Sequence, residues 1–321
     1  MISRRWMIAG TAVGLATSGQ AFAQREWKPD RPIRFIVGFA AGGVSDTVVR
    51  LVAGEMSRHL GVPIVVDNRP GASGNLGTLA VLQAPADGYT VGFSGIHLTT
   101  NPALLPSLGY GPRADLQMVS QFTQLPIVVL ASVKSGITSM AELITRAKAD
   151  AVPISTAGIG TSSHLGPELL FRVAGGRFEP VQYRSGSEAF QALMAGDTQA
   201  MFDPSASYHS GAAAEGRVRI LAVMQEHRAT ALPDVPAFGE LGLPAAAQMR
   251  SWNGACVRRG TPEAAVQALH AAIVAAIASP AVQGPFRNLG IEPTLSESPA
   301  ANQAFYLSEL DRWTEILRKP S

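Results

Sequence analysis

The chain has 321 residues, 46% of them hydrophobic and 16% charged, which fits two domains or one large one with a real core and excludes a disordered chain. Its 26 basic and 24 acidic residues leave a net charge of +2 with no run of five like charges, which excludes a sequence-independent nucleic-acid binder. One cysteine rules out an intrachain disulfide and a Cys-built metal centre, and six histidines, at positions 59, 97, 164, 209, 227 and 270, lack the H-x-x-H or H-x-x-x-H spacing of a local metal site, so no metal or cofactor is expected.

Residues 1–23 have the three parts of an export signal. Arg4 and Arg5 form a basic start, residues 7–17 a short apolar stretch broken by Gly10 and Gly14, and Ala21-Phe22-Ala23 supplies small residues where a signal peptidase reads. Cleavage is expected before Gln24, and loss of Arg4 and Arg5 then balances the charge. The apolar stretch falls short of the roughly 20 residues that a membrane anchor needs. Ser3-Arg4-Arg5 leaves the general and the twin-arginine export routes both open. A soluble periplasmic product is expected.

Residues 33–39 read as a β-branched and aromatic strand. Gly42-Gly43 follows, and Ser45 and Asp46 open a helix that runs to Leu60 with Val48, Val52, Met56 and Leu60 on one face. Gly61 ends it. Residues 63–66 start a second strand, 68–74 form a loop, 75–83 a helix, and 89–93 a third strand ending at Ser94-Gly95. The second half repeats the plan: strand 127–133, helix 140–149 capped by Ser139, strand 153–156, and Gly158-Ile-Gly160-Thr161-Ser162-Ser163 opening a helix to Val173. Strand 181–183, a helix to Ala195, strand 199–202 ending at Asp203-Pro204, and strand 219–223 come next. After Arg258 two helices are expected, 262–279 and 299–318. The segment 264–282 is apolar but interrupted by Gln267 and His270, so it reads as an amphipathic helix on a sheet. Cys256, in an apolar strand-like stretch, reads as an inert buried thiol. Strand–helix alternation at this spacing predicts an α/β fold with a mostly parallel sheet in each half.

Ligands of parallel sheets bind outside the carboxyl ends of the strands, where each following helix aims unpaired N–H groups and its positive dipole end. Three glycine-bearing loops carry Ser or Thr beside the Gly, at 41–46, 71–75 and 158–163, and together they predict an anion held between two halves. The alternative is ordinary strand–helix turns. Enzyme motifs fail: there is no third glycine for a dinucleotide fingerprint, no phosphate-binding G-x-x-x-x-G-K-[ST], and no G-x-S-x-G elbow. His164 reads as a structural contact. Asp203 stands on the ligand edge, where it would orient a helix, pair with Arg184 or accept a hydrogen bond from a ligand.

Several blocks carry a resemblance: Pro29-Asp-Arg-Pro-Ile-Arg34, Gly42-Gly-Val-Ser-Asp46, Val66-Asp-Asn-Arg-Pro-Gly-Ala72, Ala86-Asp-Gly-Tyr89, Asn101-Pro-Ala-Leu104, Gly160-Thr-Ser-Ser-His-Leu165, Met201-Phe-Asp203 and Leu232-Pro-Asp-Val-Pro236. In this order, from about Trp27 to the C-terminus, the chain resembles the Bug family, the extracytoplasmic receptors of tripartite tricarboxylate transporters. The resemblance implies a two-lobed Venus-flytrap fold of the periplasmic type. Lobe 1 would comprise 25–124 and 258–321, lobe 2 residues 125–250, with hinge strands near 124–131 and 251–257. It implies no enzyme activity, a small organic acid as ligand, the membrane subunits of such a transporter as partners, and a monomer. Carried over by motif, the ligand-binding residues would be Phe39, Ala41, Gly43, Ser45, Ala72, Ser73 and Ser94 in lobe 1, and Thr156, Gly160, Thr161, Ser162, Tyr183 and Asp203 in lobe 2. Asp46 reads as a helix-terminus residue. The chain departs from the family's usual Pro at Ala40, from its Tyr-Lys-Gly at Tyr183-Arg184-Ser185, and at 96–100. Arg184 would point to solvent or fork onto a second ligand carboxylate. Two other readings stay open: a periplasmic sensing subunit for a signalling kinase, and a hydrolase or dehydrogenase on a similar fold. Which acid binds is not legible.

Overall fold

The computed structural model describes residues 27–318, so the expected export signal lies outside the described residues. In chain order the elements are β1 (Ile33–Val37), α1 (Val44–Leu60), β2 (Ile64–Asn68), α2 (Asn75–Gln83), β3 (Thr90–Gly95), α3 (His97–Leu104), β4 (Leu116–Ser132), α4 (Met140–Ala149), β5 (Val152–Thr156), α5 (Ser162–Ala174), β6 (Phe178–Gln182), α6 (Gly186–Ala195), β7 (Ala200–Pro204), α7 (Ser207–Ala214), β8 (Val218–Val223), β9 (Arg250–Arg258), α8 (Glu263–Ala278), α9 (Pro280–Leu289), the short β10 (Glu292–Pro293) and α10 (Pro299–Arg318).

β2, β1 and β3 form a parallel trio, and β6, β5 and β7 form another. This is what strand–helix alternation dictates, since parallel neighbours need a crossover between them. Between the trios lie β9 and β4, antiparallel to each other and to their outer neighbours, so the whole is one mixed sheet in the order β2-β1-β3-β9-β4-β7-β5-β6. β4 pairs with β9 up to Pro126 and with β7 and β8 from Ile127 onward. One long strand therefore serves both halves.

The predicted face of α1 is the observed one: Val48, Val52 and Met56 pack with Val266, Leu269, Ile273 and Ile277 of α8 in one core. A separate core joins β4 and β7 to α5. α10 reaches both halves. Its Tyr306 and Leu310 pack with Leu116 and Met118 of β4. Further along, Trp313 packs into the core of α5, and Ile316 O accepts from Arg172 Nη1 at 2.8 Å.

The tail holds three helices where two were expected. Ser279 ends α8 and caps α9, its Oγ accepting from Ala281 N at 3.2 Å, with Pro280 at the first helical position. The strand expected at 127–133 starts earlier, at Leu116, and α3 and α7 were not expected at all. α3 carries Pro102 and α7 carries Gly211, and both residues weaken the helical signal.

Glycines let the first loop close on α2. A Cβ on Gly38 would stand 2.6 Å from Gly74 O, and one on Gly77 would stand 2.6 Å from Gly38 Cα. Cys256 is buried, and burial pushes its thiol up to about 12. Among the described residues no single helix is long and apolar enough to cross a membrane.

Candidate functional site

The loops after β1, β3, β5 and β6 and the end of β7 line one cavity of about 610 Å³, counted with its open mouth. Three helix N-termini meet there. α1 begins at Gly43, which is extended and offers no side chain as a cap. The first helical acceptor, Gly43 O, is used by Thr47 N at 3.0 Å. α5 begins at Thr161, whose hydroxyl turns back to donate to Gly158 O at 2.6 Å and so does not cap its own helix. α6 begins after Ser185, whose Oγ accepts from Glu188 N at 3.2 Å. The leading amides of these helices have no acceptor within their helices. They bring three positive dipole ends to one space. Among the described residues, no lysine or arginine lines it. A carboxylate placed here would be held by peptide N–H groups and hydroxyls rather than by a cation.

The wall between the helix ends is aromatic. Phe93 and His97 stack at 5.7 Å, and Phe39 meets them edge-on at 6.1 and 5.4 Å. Burial lowers His97 to about 3, so its imidazole is neutral. From the central sheet, β9 adds Ser251, Trp252 and Asn253. Ser251 Oγ accepts from Ser162 Oγ of α5 at 3.0 Å. Asn253 is 3% exposed, and its Nδ2 has no hydrogen-bond partner among the described residues.

Two buried aspartates border the cavity. Asp46 is turned inward: Oδ2 accepts from Gly42 N at 2.9 Å and Arg50 Nε at 3.0 Å, and Oδ1 accepts from Asn68 Nδ2 at 2.9 Å. Burial alone raises this carboxyl, but the hydrogen bonds from Arg50, Gly42 and Asn68 outweigh it and hold it below its ordinary value. Asp203 differs. Among the described residues only its Oδ2 meets partners: Tyr208 OH donates to it at 3.3 Å, and His209 Nε2 lies 3.2 Å away.

Of the residues picked out in the sequence, the cavity wall brings together Phe39, Gly43, Ser45, Thr161, Ser162 and Asp203. Ala41 and Ala72 are exposed and stand outside the wall. Ser73, with φ 53°, packs against the second-half loop, where a Cβ on Gly158 would stand 2.9 Å from Ser73 Oγ. Ser94 is fully buried behind the wall, its Oγ without a partner among the described residues. The Thr156 hydroxyl accepts from Gly158 N at 3.3 Å and shapes the turn. Gly160 O accepts from Thr100 Oγ1 of α3 at 2.6 Å, a contact between the two loop sets. Tyr183 packs on the core beneath α6, and Arg184 is exposed. His164 Nδ1 accepts from Gly160 N at 3.5 Å, a structural contact.

Sequence reasoning did not select Ser185, Gly186, His97, Trp252 or Asn253 for the site. For the first pair a signal was present, since Ser185-Gly-Ser-Glu188 has the S-x-x-E spacing of a helix start. Asn253 lies in an apolar stretch whose pairing with Gly95 of β3 only the sheet reveals.

Comparison with known proteins agrees along nearly the whole chain. The family described as tripartite tricarboxylate transporter family receptor matches residues 48–321. Protein BugT of Bordetella pertussis is 31% identical over 320 residues, 98% of this chain and 97% of BugT. Among solved structures, the periplasmic binding protein BugD superposes with a TM-score of 0.85 at 30% identity, covering 90% of this chain and 97% of BugD. MatC from Rhodopseudomonas palustris, with bound malate, gives 0.83 at 30% identity, covering 90% and 100%. The R. palustris protein Rpa4515, with adipate, gives 0.84 at 29% identity, covering 90% and 96%. The architecture is thus the two-lobed fold of periplasmic binding proteins, and these neighbours are solute-binding proteins, not enzymes.

Proposed function

We propose, since this chain belongs to the tripartite tricarboxylate transporter receptor family, that its cavity holds the carboxylate of a small organic acid and that the loaded receptor is read by the membrane subunits of such a transporter. The observation that carries this reading is the meeting of three helix N-termini, those of α1, α5 and α6, at one cavity without a lysine or arginine in its described wall. Relatives of the same fold are known with malate and with adipate. The family and its periplasmic neighbours support a periplasmic location, which the chain would reach by cleavage before Gln24 and where it would act as a monomer.

The two lobes, 25–124 with 258–321 and 125–250, hinge near 124–131 and 251–257, where β4 exchanges β9 for β7 and β8. α10 braces both lobes through Trp313 and Ile316. Ligand enters the open cleft, rests on α1, and is enclosed as α5 and α6 close. Thr100 to Gly160 O joins the two lobes, and Ser162 to Ser251 joins lobe 2 to the hinge strand β9. A ligand shifts the balance by its differential affinity. A ~100-fold preference for the closed form supplies about 2.7 kcal/mol.

A thermal-shift screen of mono- and dicarboxylates followed by calorimetry tests the reading. At least one acid binds, and it is recovered chemically unchanged after long incubation. Binding of a ligand with no acidic group in the same cavity, competing with every acid, would contradict it.

A further inference from the structure

We infer that the Asp203 end of the cavity recognises a hydrogen-bond donor on the ligand, so that the receptor takes acids bearing a hydroxyl or amino group in preference to the same acids without one. This rests on the reading that the helix N-termini hold the ligand's carboxylate.

Asp203 closes β7 and is 4% exposed, yet it lines the cavity. Its Oδ2 is fixed from behind. His209 Nδ1 accepts from Ala206 N at 3.2 Å, which sets the ring with its Nε2 3.2 Å from Oδ2. Tyr208 OH donates to the same oxygen at 3.3 Å and packs against Phe190 at 5.2 Å. Oδ1 has no hydrogen bond from the described residues. It also stays uncovered because residue 186 is glycine, where a Cβ would stand 3.3 Å from Oδ1. A carboxylate held by one oxygen, with the other free toward a cavity, is an acceptor only. It rewards a ligand O–H or N–H and repels a second carboxylate, and the described wall holds no cation to offset that repulsion. Asp46 shows what a satisfied aspartate looks like in this fold, with both oxygens taken. Tyr208 is a positioning residue, acting through Asp203.

The test is calorimetry on the mature protein with a panel of small acids in matched sets. Examples are succinate, malate and aspartate, and butyrate, 3-hydroxybutyrate and 3-aminobutyrate. In the sets that bind, the hydroxy or amino member binds about tenfold or more tighter than its parent, because a charge-assisted hydrogen bond is gained. Comparing hydroxy with amino members identifies the donor. Asp203→Asn reduces the ratio of substituted to parent affinity below about threefold within each set, and Tyr208→Phe reduces it partway. Loss of packing alone would weaken parent and substituted acids equally. Parents that bind as tightly as their substituted partners, or a preference that survives Asp203→Asn, overturn this inference and leave the carboxylate reading standing. If no acid in the panel binds, the carboxylate reading falls and this inference falls with it.

Discussion

The two ends of the cavity use the same device and furnish it differently. On the side of β1, α1 presents a bare helix end: a glycine at the cap position, no side-chain cap, and an aspartate folded back on Gly42, Arg50 and Asn68. On the side of β5 to β7, the helix ends carry hydroxyls from Thr161, Ser162, Ser163 and Ser185, and the aspartate keeps one oxygen without a hydrogen bond from the described residues. The first end offers peptide N–H groups to an anion of any kind. The second adds side chains that read what else the ligand carries. An aspartate near a helix start is therefore not a site by pattern; its partners decide whether it is structure or recognition.

That contrast can be broken most severely at Gly43. A Cβ there meets only Ala40 O, at 4.0 Å, and φ is −81°, so a side chain is accommodated by the backbone but projects into open space beside the helix end. Gly43→Leu is expected to fold with an unchanged Tm and to weaken every acid by ~100-fold or more, about 2.7 kcal/mol. Calorimetry beside a thermal melt checks both halves of that statement. Gly38→Ala attacks the support of the same end. Its Cβ would stand 2.6 Å from Gly74 O, a backbone atom, and the crowding is expected to cost about 2–3 kcal/mol in denaturant unfolding.

Asp46→Asn separates structure from recognition. Stability is expected to fall by about 1–2 kcal/mol at neutral pH, with acid affinity nearly unchanged. The folded pKa lies below 3.8, so the wild-type advantage is complete above that value and is lost as pH falls through the folded pKa. Unfolding curves from pH 7 to 2.5 should show the two proteins converging at the acid end. His97 has the opposite sign of charge and the same direction with pH. Burial keeps it neutral down to about 3, whereas the unfolded side chain takes a proton near 6.5. Wild type should therefore lose stability as pH falls below 6.5, and His97→Leu should lose less over that interval. The smallest effect is expected at the second end: Ser185→Ala removes the cap on α6 and should cost about 1 kcal/mol.

Much of this was legible because glycine, caps and periodicity act locally. α2 (Asn75–Gln83) and α4 (Met140–Ala149) fall where the sequence placed them, and the α1 face of Val48, Val52 and Met56 is the buried one. What escaped is long-range. β4 reaches back to Leu116 because β9, more than a hundred residues later, gives its polar first half a partner. His97 and Asn253 meet the cavity only because Gly95 and Asn253 are paired across β3 and β9. The loop at 71–75 has the composition of an anion loop, yet it packs against Gly158 and accepts from Asn101 Nδ2 through Ser73 O at 3.1 Å. Composition marks a backbone that can bend; tertiary contacts decide what it bends around.

The most direct measurement is the amide spectrum of protein labelled at glycine and serine, titrated with an acid that binds. If peptide N–H groups hold the carboxylate, the amide protons of Gly43, Ser45, Ser162 and Gly186 shift downfield together, by more than any others, and saturate with the affinity found by calorimetry. Saturable binding that leaves those four resonances in place while moving amides elsewhere would contradict the account.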